Sequence, residues 1–177
     1  MAGDPSRAAE LEAFVAEHGE RLLRAAIFLA GSRESGEDML QNALERLLRR
    51  WRSVRDNPER YTRRILVHLA ADGWRRHAVG RGKLGLLRAS TPAYQPDGTA
   101  DIDRRDEVVG LLQQLPVRQR TAIVLRYLEG MTETETAELM GCSAGTVKSA
   151  TSRGLDKLRE LSCAGRSPQD IGSEGKS

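Results

Sequence analysis

The residues best equipped to touch a ligand lie towards the C-terminal end of this 177-residue chain: Ser143, Thr146, Lys148, Ser149, Ser152 and Arg153. Hydroxyl, ammonium and guanidinium groups of this kind donate hydrogen bonds to phosphate oxygens and to base edges. Around them stand Ala137, Gly141 and Val147, at separations of four and six. A helix-turn-helix asks for that trio: a small residue where two helices cross, a glycine in the turn, and an apolar residue packing the second helix onto the first. Ala150 continues the inner face. An ordinary αα-hairpin with a glycine turn is the competing reading. Two further features favour the DNA-reading unit: Thr132 precedes Glu135 at capping-box spacing, and the following helix is basic through Lys148, Arg153, Lys157 and Arg159.

A second concentration of charge lies earlier. Between Arg46 and Arg64 there are eight arginines against two carboxylates, Asp56 and Glu59, which leaves a local charge of +6. Arg75 and Arg76 extend the basic stretch past Asp72. Taken alone, a charge run is a solvated helix face. Two basic faces in two separate parts of one chain favour a polyanionic partner.

The elements that must carry these residues read as helices throughout. Leu11, Phe14, Val15, His18, Leu22, Ala25 and Leu29 recur at three- and four-residue steps and form one helix face, ended by Gly31-Ser32. Leu40, Ala43, Leu44, Leu47 and Trp51 repeat the rhythm, with Trp51 read as core. Asn57-Pro58 opens a third helix through Tyr61, Ile65, Leu66 and Leu69. After a stretch rich in Gly and Pro, Val108, Leu111, Leu112 and Leu115 make another stripe, ended by Pro116. Ile123, Val124, Tyr127 and Leu128 follow, then a short acidic helix to Met140, and a last helix from about Ala144 to Leu161. No window alternates as a strand does. The expected fold is all-α: two small helical bundles on a flexible linker, the second containing the helix-turn-helix. Their expected limits are 8–80, a linker over 81–103, 104–162, and a disordered tail over 163–177.

Composition narrows the function. Aromatic residues are 4% and charged residues 30% of the chain, a poor basis for a large sheet-based core. The net charge of +3 conceals the uneven distribution described above. Two cysteines, Cys142 and Cys163, are too few for a disulfide framework, and a reducing cytoplasm is the expected location. No apolar run approaches the roughly 20 residues that a membrane span needs, and the N-terminus lacks the order of a signal peptide. Gly80-Arg81-Gly82-Lys83-Leu84 imitates a phosphate loop, but His77 and Leu84 stand where the pattern needs Gly and Ser or Thr. The cysteines and the histidines His18, His68 and His77 have no metal-ligand spacing, and no nucleophile–base pair can be assembled. No cofactor, no metal and no enzymatic activity are expected.

With both blocks read, the chain resembles the extracytoplasmic-function (ECF) sigma factors of bacterial RNA polymerase, and among them the actinobacterial SigE group. The resemblance covers Leu11 to Leu161. Glu37-Asp38-Met39-Leu40-Gln41 is similar to the family helix that docks on the polymerase clamp. Tyr61-Thr62-Arg63-Arg64-Ile65-Leu66-Val67-His68 and Asp72-Gly73-Trp74-Arg75-Arg76 resemble the helix that opens the minus-ten element. Leu115-Pro116-Val117-Arg118-Gln119-Arg120 and Gly141-Cys142-Ser143-Ala144-Gly145-Thr146-Val147-Lys148-Ser149 resemble the domain that reads the minus-thirty-five element.

The resemblance implies roles. Asp38, Gln41, Asn42 and Glu45 would meet core polymerase. Arg60, Arg63, Arg64, Arg75 and Arg76 would hold the DNA backbone while base pairs open, with Tyr61 and His68 meeting exposed bases and Trp74 either stacking on a base or serving as core, the commoner role of Trp and Tyr at helical spacing. Ser143, Thr146, Lys148, Ser149, Ser152 and Arg153 would read the upstream element. The implied partners are the clamp and flap surfaces of core polymerase, promoter DNA and an anti-sigma protein able to hold the two modules folded against each other. There are departures: His68 stands where Asn is frequent, Asn42 where Glu is frequent, and Ala150 where Arg is common. Promoter preference therefore does not transfer from relatives. The alternative function is a stand-alone helix-turn-helix regulator that binds DNA without polymerase.

Overall fold

The computed structural model describes residues 5–81 and 100–164, with side chains described for 8–72 and 104–163. Seven α-helices and one π-helical turn account for nearly all of them: α1 Pro5–Ala30, α2 Arg33–Val54, α3 Pro58–Arg81, α4 Ala100–Gln113, α5 Val117–Ile123, the π-turn Val124–Leu128, α6 Glu133–Met140 and α7 Ala144–Ala164. No strand occurs among the described residues.

Local chemistry sets the helix ends. The Ser32 hydroxyl accepts from the Ser35 amide at 3.1 Å and caps α2. The Asn57 side chain accepts from the Arg60 amide at 3.1 Å, and Pro58 supplies the fixed φ that suits a first helical position. Thr62, fully buried in α3, donates to the Pro58 carbonyl at 2.8 Å and so is not orphaned. Two expected boundaries differ. The linker was expected to run to Asp103, but α4 begins at Ala100, and no Gly or Pro between there and Asp106 interrupts it. The tail was expected from Cys163, but α7 continues through Ala164. Residues 82–99 and 165–177, which hold most of the expected linker and tail, lie outside the described residues.

Close packing explains the pairing of α1 with α2. A Cβ on Gly36 would come within 2.8 Å of the Ile27 backbone, so only glycine permits this approach. The core then extends through the whole molecule. Leu22, Leu47, Trp51 and Leu66 from the first three helices share one apolar cluster with Leu112, Leu115, Ile123 and Val124. Trp51 lies in that cluster at 6% exposure, with its indole N–H donating to Glu10 at 2.7 Å. A smaller cluster joins Val67 of α3 to Leu125 and Leu139. The two bundles are thus packed on each other. Small helical modules bury little apolar surface alone, and sharing a core offsets that shortage.

Candidate nucleic-acid interface

The helix-turn-helix is built from α6 and α7. The Glu135 amide bonds the Thr132 hydroxyl at 3.2 Å while the Glu135 carboxylate accepts from the Thr132 amide at 2.7 Å, a complete capping box. Hydrogen bonds from the Thr132 side chain, then from its backbone, hold the Glu135 carboxyl below its ordinary value. Gly141 ends α6 in the left-handed region at φ +62, a conformation glycine adopts at no cost in Cβ crowding. Ala137 and Val147 are both buried at the crossing.

With that inner face buried, α7 presents its other side. Ser143, Lys148, Ser149, Ser152 and Arg153 are exposed and Thr146 is half-buried. Ser143 caps the helix by accepting from the Thr146 amide at 3.2 Å, and its hydroxyl lies 2.9 Å from that of Thr146. Ser149 donates back to the Thr146 carbonyl at 3.0 Å. Two expected contributors to the basic face are occupied: Lys157 bonds Glu160 at 2.9 Å and Arg159 bonds Asp156 at 2.6 Å. Lys148 and Arg153 have no ion-pair partner among the described residues.

The downstream candidates divide. Arg60, Arg64 and His68 recur every four residues along α3 and are exposed, one continuous stripe. Tyr61 is half-buried in a groove of about 300 Å³ that Arg60, Arg64, Asn57, Glu138 and Leu139 also line. Arg63 points elsewhere. Its side chain is 7% exposed, with Nη2 on Glu59 at 2.6 Å and Nε on Glu129 at 2.9 Å. Trp74, Arg75 and Arg76 lie on the α3 backbone, and their side chains fall outside the described ones.

Asp38, Gln41, Asn42 and Glu45 are all exposed on one side of α2. Beside them runs a groove of about 400 Å³ between α1 and α2, walled by Leu11, Leu23, Leu40, Leu44 and Leu48. Sequence reasoning named the polar residues and missed this apolar floor. Its trace is there, because Leu44 and Leu48 widen the α2 stripe beyond what packing on one neighbour requires. Glu129, Glu138 and Arg21 were missed as well.

Comparison with known proteins decides the family. The Sigma-70 region 2 model matches residues 14–79 and the Sigma-70 region 4 model matches residues 105–158. The RNA polymerase sigma-E factor of Streptomyces coelicolor is 34% identical over 153 residues, 85% of either chain. The ECF RNA polymerase sigma factor SigM of Mycobacterium tuberculosis is 30% identical over 81% of this chain and 72% of its own. The chain belongs to the ECF sigma factors of bacterial RNA polymerase. Among solved structures, the sigma factor RpoE of Bartonella quintana, in complex with the anti-sigma factor NepR, superposes with a TM-score of 0.67. It shares 26% identity, over 88% of this chain and 99% of that one.

As an ECF sigma factor, the chain directs promoter-specific transcription by RNA polymerase. Helices α1–α3 correspond to region 2, and α4–α7 to region 4. Among the described residues no group of three or more His, Cys, Asp or Glu is placed to hold a metal, and no helix is long and apolar enough to cross a membrane.

Proposed function

We propose that this sigma factor divides its work among three faces. The α2 face carrying Asp38, Gln41, Asn42 and Glu45 docks on the clamp of core polymerase, with the adjoining leucine groove receiving apolar side chains. The α3 stripe of Arg60, Arg64 and His68, with Tyr61 and Arg63 beside it and Trp74, Arg75 and Arg76 beyond, opens the downstream element and holds its strand. Helix α7 reads the upstream element through Ser143, Thr146, Lys148, Ser149, Ser152 and Arg153. The action is binding and strain rather than covalent chemistry. The place of action is the cytoplasm, on the polymerase. An anti-sigma protein is the regulatory partner, a reading supported by the complex that RpoE of B. quintana forms with NepR.

The observation that carries this reading is α7. Its inner residues are buried against α6, and its outer face offers two cations without ion-pair partners among the described residues and a row of hydroxyls. The test is addition of the purified chain to core RNA polymerase, followed by run-off transcription from genomic fragments. Tight binding with new, fragment-specific transcripts is the expected result. Absence of any polymerase binding would transfer the function to a stand-alone DNA-binding regulator.

A further inference from the structure

The second module does more than rest on the first. Glu129, at the end of the π-turn, inserts a side chain that is only 3% exposed between two arginines of the first module. Arg63 of α3 meets it at 2.9 Å and Arg21 of α1 at 3.4 Å. Glu59 closes the cluster, 2.6 Å from Arg63 and 3.6 Å from Arg21, with His18 at 3.7 Å on its other side. One turn away Arg60 bonds Glu138 of α6. Farther along the same side of α3, Val67 packs on Leu125 and Leu139. The second module thus touches α3 at Arg60, Arg63 and Val67, with Arg63 and Val67 buried and Arg60 still more than half exposed.

We infer that Glu129 and Glu138 form an intramolecular substitute for the DNA backbone, an acidic cover that occupies two strand-holding arginines while leaving the upstream reader uncovered. This rests on the reading that α3 holds promoter DNA. A carboxylate and a phosphate satisfy a guanidinium through the same charge-assisted hydrogen bonds, so the cover and a DNA strand compete for Arg60 and Arg63. The asymmetry is the informative part. Lys148, Ser149, Ser152 and Arg153 remain exposed with the cover in place, while Arg63 is buried between Glu129 of the cover and Glu59 of its own helix. The free protein therefore approaches duplex DNA through α7 but holds a melted strand less well while the modules stay together, because Arg63 and part of Arg60 are engaged. The affinity for single strands is reduced by the fraction of molecules that are open.

The test measures binding of the full chain to a fluorescein-labelled single-stranded oligonucleotide of mixed sequence and to its duplex. Solution scattering records the radius of gyration in parallel. Glu129→Gln/Glu138→Gln weakens the cover, and Glu20→Gln/Glu34→Gln, both at exposed positions, removes the same charge elsewhere. The cover variant is expected to expand and to bind the single strand roughly tenfold tighter than the charge-matched control, by release of the closed fraction. Its preference for single strand over duplex rises. Glu138→Gln alone, at an exposed site that does not endanger folding, moves the same way by less. An unexpanded cover variant that binds like the control overturns the cover. Expansion without any gain in single-strand binding overturns the role of α3 as strand holder, and with it the cover. Run-off transcription by the unaltered chain tests the sigma assignment separately.

Discussion

Lys148 and Arg153 sit on the outer face of α7 with no ion-pair partner among the described residues, so removing either charge leaves no partner unpaired. Replacement by Ala should therefore act on DNA binding and not on folding. The size of the effect separates two kinds of contact. A cation that neutralises one phosphate changes the slope of log affinity against log salt by about 0.9. Over a fourfold rise in salt, from about 50 to 200 mM, that slope corresponds to a factor of about 3.5. A phosphate-contacting residue thus gives a wild-type to mutant affinity ratio that shrinks about 3.5-fold across this range. A base-reading residue gives a ratio that stays constant with salt, at about 1–3 kcal/mol, and relaxes sequence preference at one position. The assay is anisotropy of labelled upstream duplex with polymerase-bound protein over a salt series. Two mutants that match the unaltered chain in affinity and slope alike would refute the placement of α7 in a groove.

Three further outcomes test other elements. Asp38→Arg reverses charge on the exposed α2 face; core polymerase affinity should fall while circular dichroism keeps its helical signal, and full affinity would remove α2 from the docking surface. Gly36→Ala places a methyl group against the Ile27 backbone, which the close α1–α2 approach does not accommodate; a loss of about 1–3 kcal/mol in denaturant unfolding is expected, and an unchanged midpoint would contradict the crossing. The Glu135 carboxyl is held below its ordinary value by Thr132, so its bonds stabilise the fold above the unfolded carboxyl range and that contribution is lost as pH falls through the lower folded value. Thr132→Ala should lower the melting temperature at neutral pH, and the gap from the unaltered chain should narrow in acid to the part held by the Thr132 hydroxyl on the Glu135 amide; a gap that persists unchanged at low pH would contradict this.

What could be read from the residues and what could not follows from the range of the interactions. Helix faces and ends depend on neighbours within four or five positions, so the stripes of α1, α2 and α3 and the caps at Ser32, Asn57 and Thr132 followed from spacing alone. The helix-turn-helix followed for the same reason, since Ala137, Gly141 and Val147 meet within ten residues. Even there a detail escaped: the helix through Tyr127 and Leu128 is π-wound, and no local residue preference marks it. Arg63 shows the limit. As one of eight arginines in a basic run it was assigned to DNA, yet its partner Glu129 stands 66 residues away across the linker. Pairing at that distance depends on how whole modules pack, and the packing depends on apolar surfaces such as Val67 and Leu139 that resemble ordinary core positions in the sequence. Arg120 is a second instance. It belongs to the motif around Pro116, but it is buried, its guanidinium is pushed below its ordinary value by desolvation, and it bonds Gln113. It supports the second module from within.

The proposed competition between carboxylates and phosphates makes a second, salt-dependent prediction for the free protein. Each phosphate contact with a single strand contributes about 0.7 to the loss of log affinity per log unit of salt. In the closed chain that loss is partly offset, because salt also screens the exposed Arg60–Glu138 pair and favours opening. The buried Arg63–Glu129 pair, with both side chains below a tenth exposed, is screened much less and holds the modules together as the outer pair weakens. Single-strand binding by the unaltered chain should therefore fall more gently with salt than binding by Glu129→Gln/Glu138→Gln, which has no cover ion pairs left to screen and comes closer to the full phosphate slope. Anisotropy titrations of both proteins over one salt series make the comparison. Parallel lines would mean that opening consumes no ion pairs, and Arg60 would then meet DNA without first leaving Glu138.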